Sequence, residues 1–78
     1  MEQALIEKAK AGDEHAFRIL VEKYRHLVFR SVYGVLRNQK DAEDAVQEVF
    51  LKMYLSLPQY QNQGFKSWLM RIAVNHAI

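Results

Sequence analysis

The stretch Asp41–Pro58, DAEDAVQEVFLKMYLSLP, decides the fold class of this chain. Ala42, Ala45, Val46, Val49, Phe50, Met53, Tyr54 and Leu57 recur at three- and four-residue spacing, which puts them on one face of an α-helix. Pro58 stops the run, because proline has no N–H to donate and its ring clashes with the preceding turn. Asp41 is the expected N-cap, with Glu43 and Asp44 in a first turn where carboxylates oppose the positive helix end.

The same periodicity extends in both directions. Upstream, Phe17, Leu20, Val21, Tyr24, Leu27, Val28, Val32 and Leu36 form a stripe running to about Arg37, with Gly34 as a tolerated weak point. Before it, Leu5, Ile6 and Ala9 mark a short first helix that Gly12 can end in a left-handed conformation, leaving Asp13 to cap the next. Downstream, PQYQNQG reads as a loop. Phe65, Trp68, Leu69, Ile72, Ala73 and His76 then mark a last helix whose other edge carries Ser67, Arg71 and Asn75. No Gly, Asn or Pro stop signal follows Ile78, so this helix is expected to continue in a longer chain. The expectation is an all-α, compact bundle of about four helices, residues 1–78 forming one domain with no repeat or linker.

Composition narrows the function. In 78 residues, 50% are hydrophobic and 26% charged, an ordinary balance for a globular domain. A chain of this size buries only about 60% of its unfolded surface. There is no cysteine, hence no disulfide and no thiolate metal site. With no apolar run of membrane-spanning length and no signal-peptide pattern, a cytoplasmic location is expected. The formal net charge is +2, its basic excess lying in residues 1–37 while residues 38–78 are neutral, so charge alone does not point to nucleic acid.

No catalytic constellation is present in the sequence. His15, His26 and His76 lack neighbours at metal-ligand or nucleophile spacing, and serines are confined to Ser31, Ser56 and Ser67. His76 falls in an apolar stripe, as a hydrogen-bonded boundary histidine does. The DAED acids are explained by helix-start electrostatics. No catalytic residue, metal ligand or cofactor is therefore expected.

Two polar features need another explanation. Asp44, Gln47 and Glu48 share one side of the third helix, beside the large Phe50 and Tyr54; a solvated face accounts for the charges, but aromatics next to hydrogen-bonding groups are what docking surfaces use. Arg71 and Asn75, one turn apart, have the fork and the planar amide suited to phosphates and base edges. Beside them, Tyr60, Gln61, Asn62, Gln63 and Gly64 combine an aromatic with several amides, the mixture that captures an unstacked base. Trp68, at a stripe position, reads first as core.

The ordered blocks AGDEHAFRILVEKY, DAEDAVQEVFLKMY and FKSWLMRIAVNHAI closely resemble region two, the first conserved domain, of bacterial extracytoplasmic-function sigma factors, across essentially the whole chain. The resemblance implies a transcription initiation factor domain with no enzymatic activity and no small-molecule substrate. Its expected partners are the largest-subunit clamp helices of core RNA polymerase, the minus-ten element of promoter DNA, and in many relatives an anti-sigma factor. Asp44, Gln47, Glu48 and Phe50 match the polymerase-binding surface. Tyr60–Gly64 match the loop that, with Asn75, holds a base flipped from the non-template strand during melting, and Arg71 and Trp68 match phosphate or fork contacts. A complete member also carries a helix-turn-helix domain for the minus-thirty-five element, which the resemblance places outside these residues. The competing class is a helical protein-interaction module that never touches DNA, which the neutral residues 38–78 would suit.

Overall fold

The computed structural model describes residues 2–78. Four helices follow in order: α1 (Glu2–Lys10), α2 (Glu14–Leu36), α3 (Gln39–Ser56) and α4 (Phe65–Ala77), with a single 3-10 turn at Leu57–Gln59 before α4. The 23-residue α2 is about 34 Å long at 1.5 Å per residue, and the molecule measures 34 × 22 × 20 Å, so this helix sets its long axis. The other three helices all pack on α2, and α3 also packs on α4.

The turn between α1 and α2 follows the residues that signal it. Gly12 takes φ +102, the Asp13 N–H reaches the Lys8 carbonyl at 3.0 Å, and the Gly12 N–H reaches that of Ala9 at 3.0 Å. These two bonds satisfy the carbonyls that a helix end leaves unpaired. The Asp13 carboxylate then accepts from the Ala16 N–H at 3.1 Å, capping α2.

The turn between α2 and α3 differs from the expectation. Arg37, a non-glycine at φ 57, is the left-handed C-cap of α2, and its N–H bonds the Tyr33 carbonyl at 2.8 Å. Asn38 immediately caps α3, its side chain accepting from the Asp41 N–H at 3.0 Å. Asp41 is therefore not the cap but a first-turn residue, and Glu43 and Asp44 lie beyond that turn. The physical reason is tightness: with the chain reversed in two residues, the first side chain able to reach back to a free N–H is that of Asn38. At the other end of α3, Pro58 sits inside the 3-10 turn and closes the helix as expected.

The core is apolar throughout; among the described residues no polar or charged residue is buried. Leu20, Val28 and Val32 from α2, Val49 and Met53 from α3 and Leu69 from α4 are fully enclosed, with Leu57 from the 3-10 turn at 1% exposure. Phe17 and Ile72 pack partly buried against this cluster. Ile6 and Ala9 seat α1, and a polar clasp holds its start: Glu2 accepts the Tyr24 hydroxyl proton and pairs with the Lys23 ammonium at 2.7 Å. The Lys23 hydrogen bond, followed by that from Tyr24, holds the Glu2 carboxyl below its ordinary range. Burial, reinforced by the Glu2 carboxylate, raises the Tyr24 hydroxyl above its ordinary range.

Candidate promoter-reading and docking surfaces

The loop between the 3-10 turn and α4 is fixed at both ends by buried aromatics. Tyr60 is 2% exposed and Phe65 4% exposed, and their rings meet edge-on with centroids 5.6 Å apart. Trp68, half-buried, joins both rings at 4.9 and 5.6 Å, and Phe65 also lies against Tyr24 at 5.5 Å. Aromatic contacts at these separations stabilise a cluster by about 0.5–1.5 kcal/mol per pair beyond area burial. Tyr60 therefore does not offer an open stacking platform: its ring is the loop's root, and Trp68 belongs to the same packed group.

Gln61, Asn62, Gln63 and Gly64 are the exposed part of the loop. The Gln61 N–H donates to the Gln63 side-chain oxygen at 2.9 Å, Asn62 holds φ 59, and Gly64 holds φ 99 where α4 begins. A Cβ on Gly64 would touch nothing within 4 Å, so glycine is required there by its backbone angle and not by lack of room. The loop thus presents amides, with donors and acceptors, from a rigid base.

On α4, Leu69, Ala73 and Ala77 face inward while Ser67, Arg71 and Asn75 are exposed, as the three-and-four pattern predicts. Neither ion pair among the described residues involves Arg71. A guanidinium and an amide stacked one turn apart, on the helix that begins where the amide-rich loop ends, make an edge able to hold phosphate and base together. His76 is half-buried at the border of this edge.

On α3, Asp44, Gln47 and Glu48 are exposed, but Phe50 is only 7% exposed and belongs to the core. Sequence spacing placed Phe50 and Tyr54 beside them but did not reveal the facing wall from α2. A groove of about 880 Å³ runs between α2 and α3, with Phe17, Val21 and Phe29 along α2 and Phe50, Leu51 and Tyr54 along α3. Glu43 and Gln47 line it from α3, Arg25 and His26 from α2. Leu51, Tyr54 and Leu55 are exposed at 53%, 55% and 65%. The signal available in the sequence was the width of the α3 stripe, since Leu51 and Leu55 add apolar residues outside the face that packs.

Among the described residues no group of three or more His, Asp or Glu side chains is placed to hold a metal ion. Nor is any helix among the described residues long and apolar enough to cross a membrane.

Comparison with known proteins agrees with this geometry. The chain is 40% identical over 77 residues to the ECF RNA polymerase sigma-E factor of Escherichia coli, an alignment covering 97% of this chain and 40% of that protein. It is 36% identical over 77 residues to the RNA polymerase sigma-H factor of Pseudomonas aeruginosa, with the same coverage of 97% and 40%. The ECF sigma factor SigW of Bacillus subtilis matches at 36% over 74 residues. The chain thus spans about two fifths of the length of these curated relatives. An NMR structure of an engineered region 2 of sigmaE in complex with GTAAAA superimposes with a TM-score of 0.93 at 41% identity, covering 99% of this chain and 81% of that one. Residues 20–78 match the model of sigma-70 region 2, and with helices, loop and polar edges in the arrangement described above, the chain belongs to the sigma-70 region 2 family.

Proposed function

We propose that this chain is the part of an alternative sigma factor that docks on core RNA polymerase and reads the minus-ten promoter element as a single strand, capturing one flipped non-template base. The observation that carries the reading is the exposed Arg71–Asn75 edge on the helix that follows the rooted, amide-bearing loop, in a chain 41% identical to a region 2 domain whose structure was solved with GTAAAA. In this reading Gln61–Gly64 and Asn75 surround the base, Arg71 holds a backbone phosphate, and Tyr60 and Trp68 act from below by fixing the loop. Flipping suits the site, because an extruded base exposes the edge that amides can read while the loop shields it from solvent.

Docking falls to α3. Asp44, Gln47 and Glu48 form hydrogen bonds and ion pairs with the clamp helices of the largest polymerase subunit, and Phe50 supports them as the floor of the adjoining groove. The chain supplies binding and orientation while the polymerase supplies the chemistry, so no catalytic residue or cofactor is assigned to it. The work is done in the cytoplasm, where polymerase meets promoter; an anti-sigma factor would act by covering these surfaces. A helix-turn-helix domain outside residues 1–78 reads the minus-thirty-five element.

Fluorescence anisotropy with labelled hexamers tests the reading. GTAAAA and its single-base variants, single-stranded and duplex, are titrated with the chain at several salt concentrations. Binding to single strands with a base preference at one or more positions and an inverse salt dependence supports it. Equal, weak binding to every strand would favour the protein-interaction module instead.

A further inference from the structure

The base-reading loop is tied to a helix far from it in sequence. The Lys10 ammonium, in the last turn of α1, donates to the Tyr60 carbonyl at 2.6 Å across 50 residues of chain, and lies 5.9 Å from the centroid of the Tyr60 ring. The Tyr60 N–H bonds the Leu57 carbonyl at 3.0 Å. Tyr60 is therefore held at its donor, at its acceptor and at its buried ring. One turn and two turns back along the same face of α1 stand Glu7 and Gln3. The Gln3 amide nitrogen donates to the Glu7 carboxylate at 2.9 Å and to the Asn62 side-chain oxygen at 3.1 Å. A carboxylate only accepts, so Glu7 orients the Gln3 nitrogen, and Gln3 in turn occupies the Asn62 oxygen. Asn62 is left presenting its NH2 donors.

We propose that α1 is a specificity element of the promoter-reading site, with Lys10 as its positioning residue and the Glu7–Gln3 pair setting the donor face of Asn62. The inference rests on the reading above, and it places a determinant outside residues 20–78, the segment that matches the family model. The charged, part-buried Lys10 bond is the strong member of the seam, and the exposed Gln3 bonds are the weak ones. Without Lys10 the Tyr60 carbonyl loses its tie to α1, and the loop is left on the Tyr60 and Phe65 rings, the Tyr60–Leu57 backbone bond and the weak Gln3 bond. A recognition site needs its groups held within about 0.5 Å, so the loss falls on discrimination between bases before it falls on folding. With the Asn62 oxygen engaged, the loop favours a base edge that offers an acceptor to Asn62.

The test measures binding of single-stranded GTAAAA and its single-base variants to the 78-residue chain and its variants. Lys10→Met keeps the aliphatic stem and removes donor and charge; Lys10→Arg keeps both; Lys8→Met removes a charge from an exposed α1 side chain that makes no bond to the loop among the described residues. Lys10→Met is expected to lower the ratio between the preferred and the next base by about tenfold, given how steeply misplacement degrades a site. Lys10→Arg should restore most of that ratio. Lys8→Met should weaken all strands alike and leave the ratio intact. In the free protein, amide exchange of Tyr60 and Gln61, whose N–H groups are bonded to the Leu57 carbonyl and the Gln63 side chain, should quicken in Lys10→Met and not in Lys10→Arg or Lys8→Met. Gln3→Leu, a substitution of an exposed side chain that leaves the core untouched, should lower the same ratio by a smaller factor. A wild-type preference that survives both Lys10→Met and Gln3→Leu unchanged overturns the proposal. A wild-type chain with no base preference overturns the reading on which it rests, and the proposal with it.

Discussion

The Phe17 ring on α2 meets the Tyr54 ring on α3 edge-on, with centroids 5.3 Å apart and planes at 81°. The pair closes one end of the groove between the two helices, although Tyr54 remains 55% exposed. Edge-to-face contact aligns the positive rim of one ring with the negative face of the other. A double-mutant cycle with Phe17→Leu and Tyr54→Leu should return a coupling of about 0.5–1.5 kcal/mol in urea unfolding. Strictly additive losses would mean that the rings are mere neighbours.

Acid and alkali should attack the clasp at the start of α1. Because the Glu2 pKa is lowered from its ordinary 4.5, its contribution is complete above that pH and is lost as pH falls through the depressed folded value. The Tyr24 hydroxyl is shifted the other way, upward from 10.0, so its contribution is complete below pH 10 and is lost above it. Glu2→Gln should leave a shallower fall in stability below pH 4.5, read from urea midpoints between neutral pH and pH 2.5. An acid limb identical to that of the wild type would show that Glu2 titrates normally.

Leu69 is fully enclosed where α4 meets the rest of the core. Leu69→Ala should cost about 2–5 kcal/mol, a large share of what a small domain has. A loss below about half a kcal/mol in equilibrium unfolding would place the side chain at the surface.

Helical periodicity made most of this architecture legible, because burial on α2, α3 and α4 follows the apolar stripes, with Tyr54 of the α3 stripe the exception at 55% exposure. Gly12 and Asp13 were readable since each is the residue type its conformation demands. The second turn was not: Arg37 takes a left-handed conformation without being glycine, and Asn38 and Asp41 are both good caps, so only the spacing of the folded backbone chooses between them. At the sites, exposure of Asp44, Gln47, Glu48, Arg71 and Asn75 followed from helix faces. Phe50 stood both in the apolar stripe and in the docking set, and its burial follows the stripe; the burial of Tyr60 depended on tertiary neighbours, and so did the bond from Lys10 across 50 residues. No local pattern encodes such contacts.

The docking reading assigns Gln47 and Glu48 to a partner, not to the fold, since both are exposed and Glu48 joins neither ion pair among the described residues. Replacing the two by alanine should leave the melting temperature nearly unchanged and weaken binding to core RNA polymerase more than tenfold, because hydrogen bonds to charged groups contribute about 1.5–3 kcal/mol each. Titration of labelled protein with core enzyme measures it, and unchanged affinity would move the interface elsewhere.

The central claim is that the loop and α4 read a base while Arg71 holds the backbone, so the two kinds of contact should fail differently. The deciding measurement is selection of strands from a library randomised across the minus-ten hexamer, with wild type, Arg71→Ala and Asn75→Ala compared side by side. Arg71→Ala should weaken all sequences alike and reduce the salt slope by about 0.7, the value for one phosphate contact on a single strand. Asn75→Ala should change the preference at one position, by about 1–3 kcal/mol of discrimination, and leave the other positions as they were. If Asn75→Ala instead weakens every sequence equally, with the preferred base unchanged at all positions, the asparagine reads no base and the account of this site is wrong.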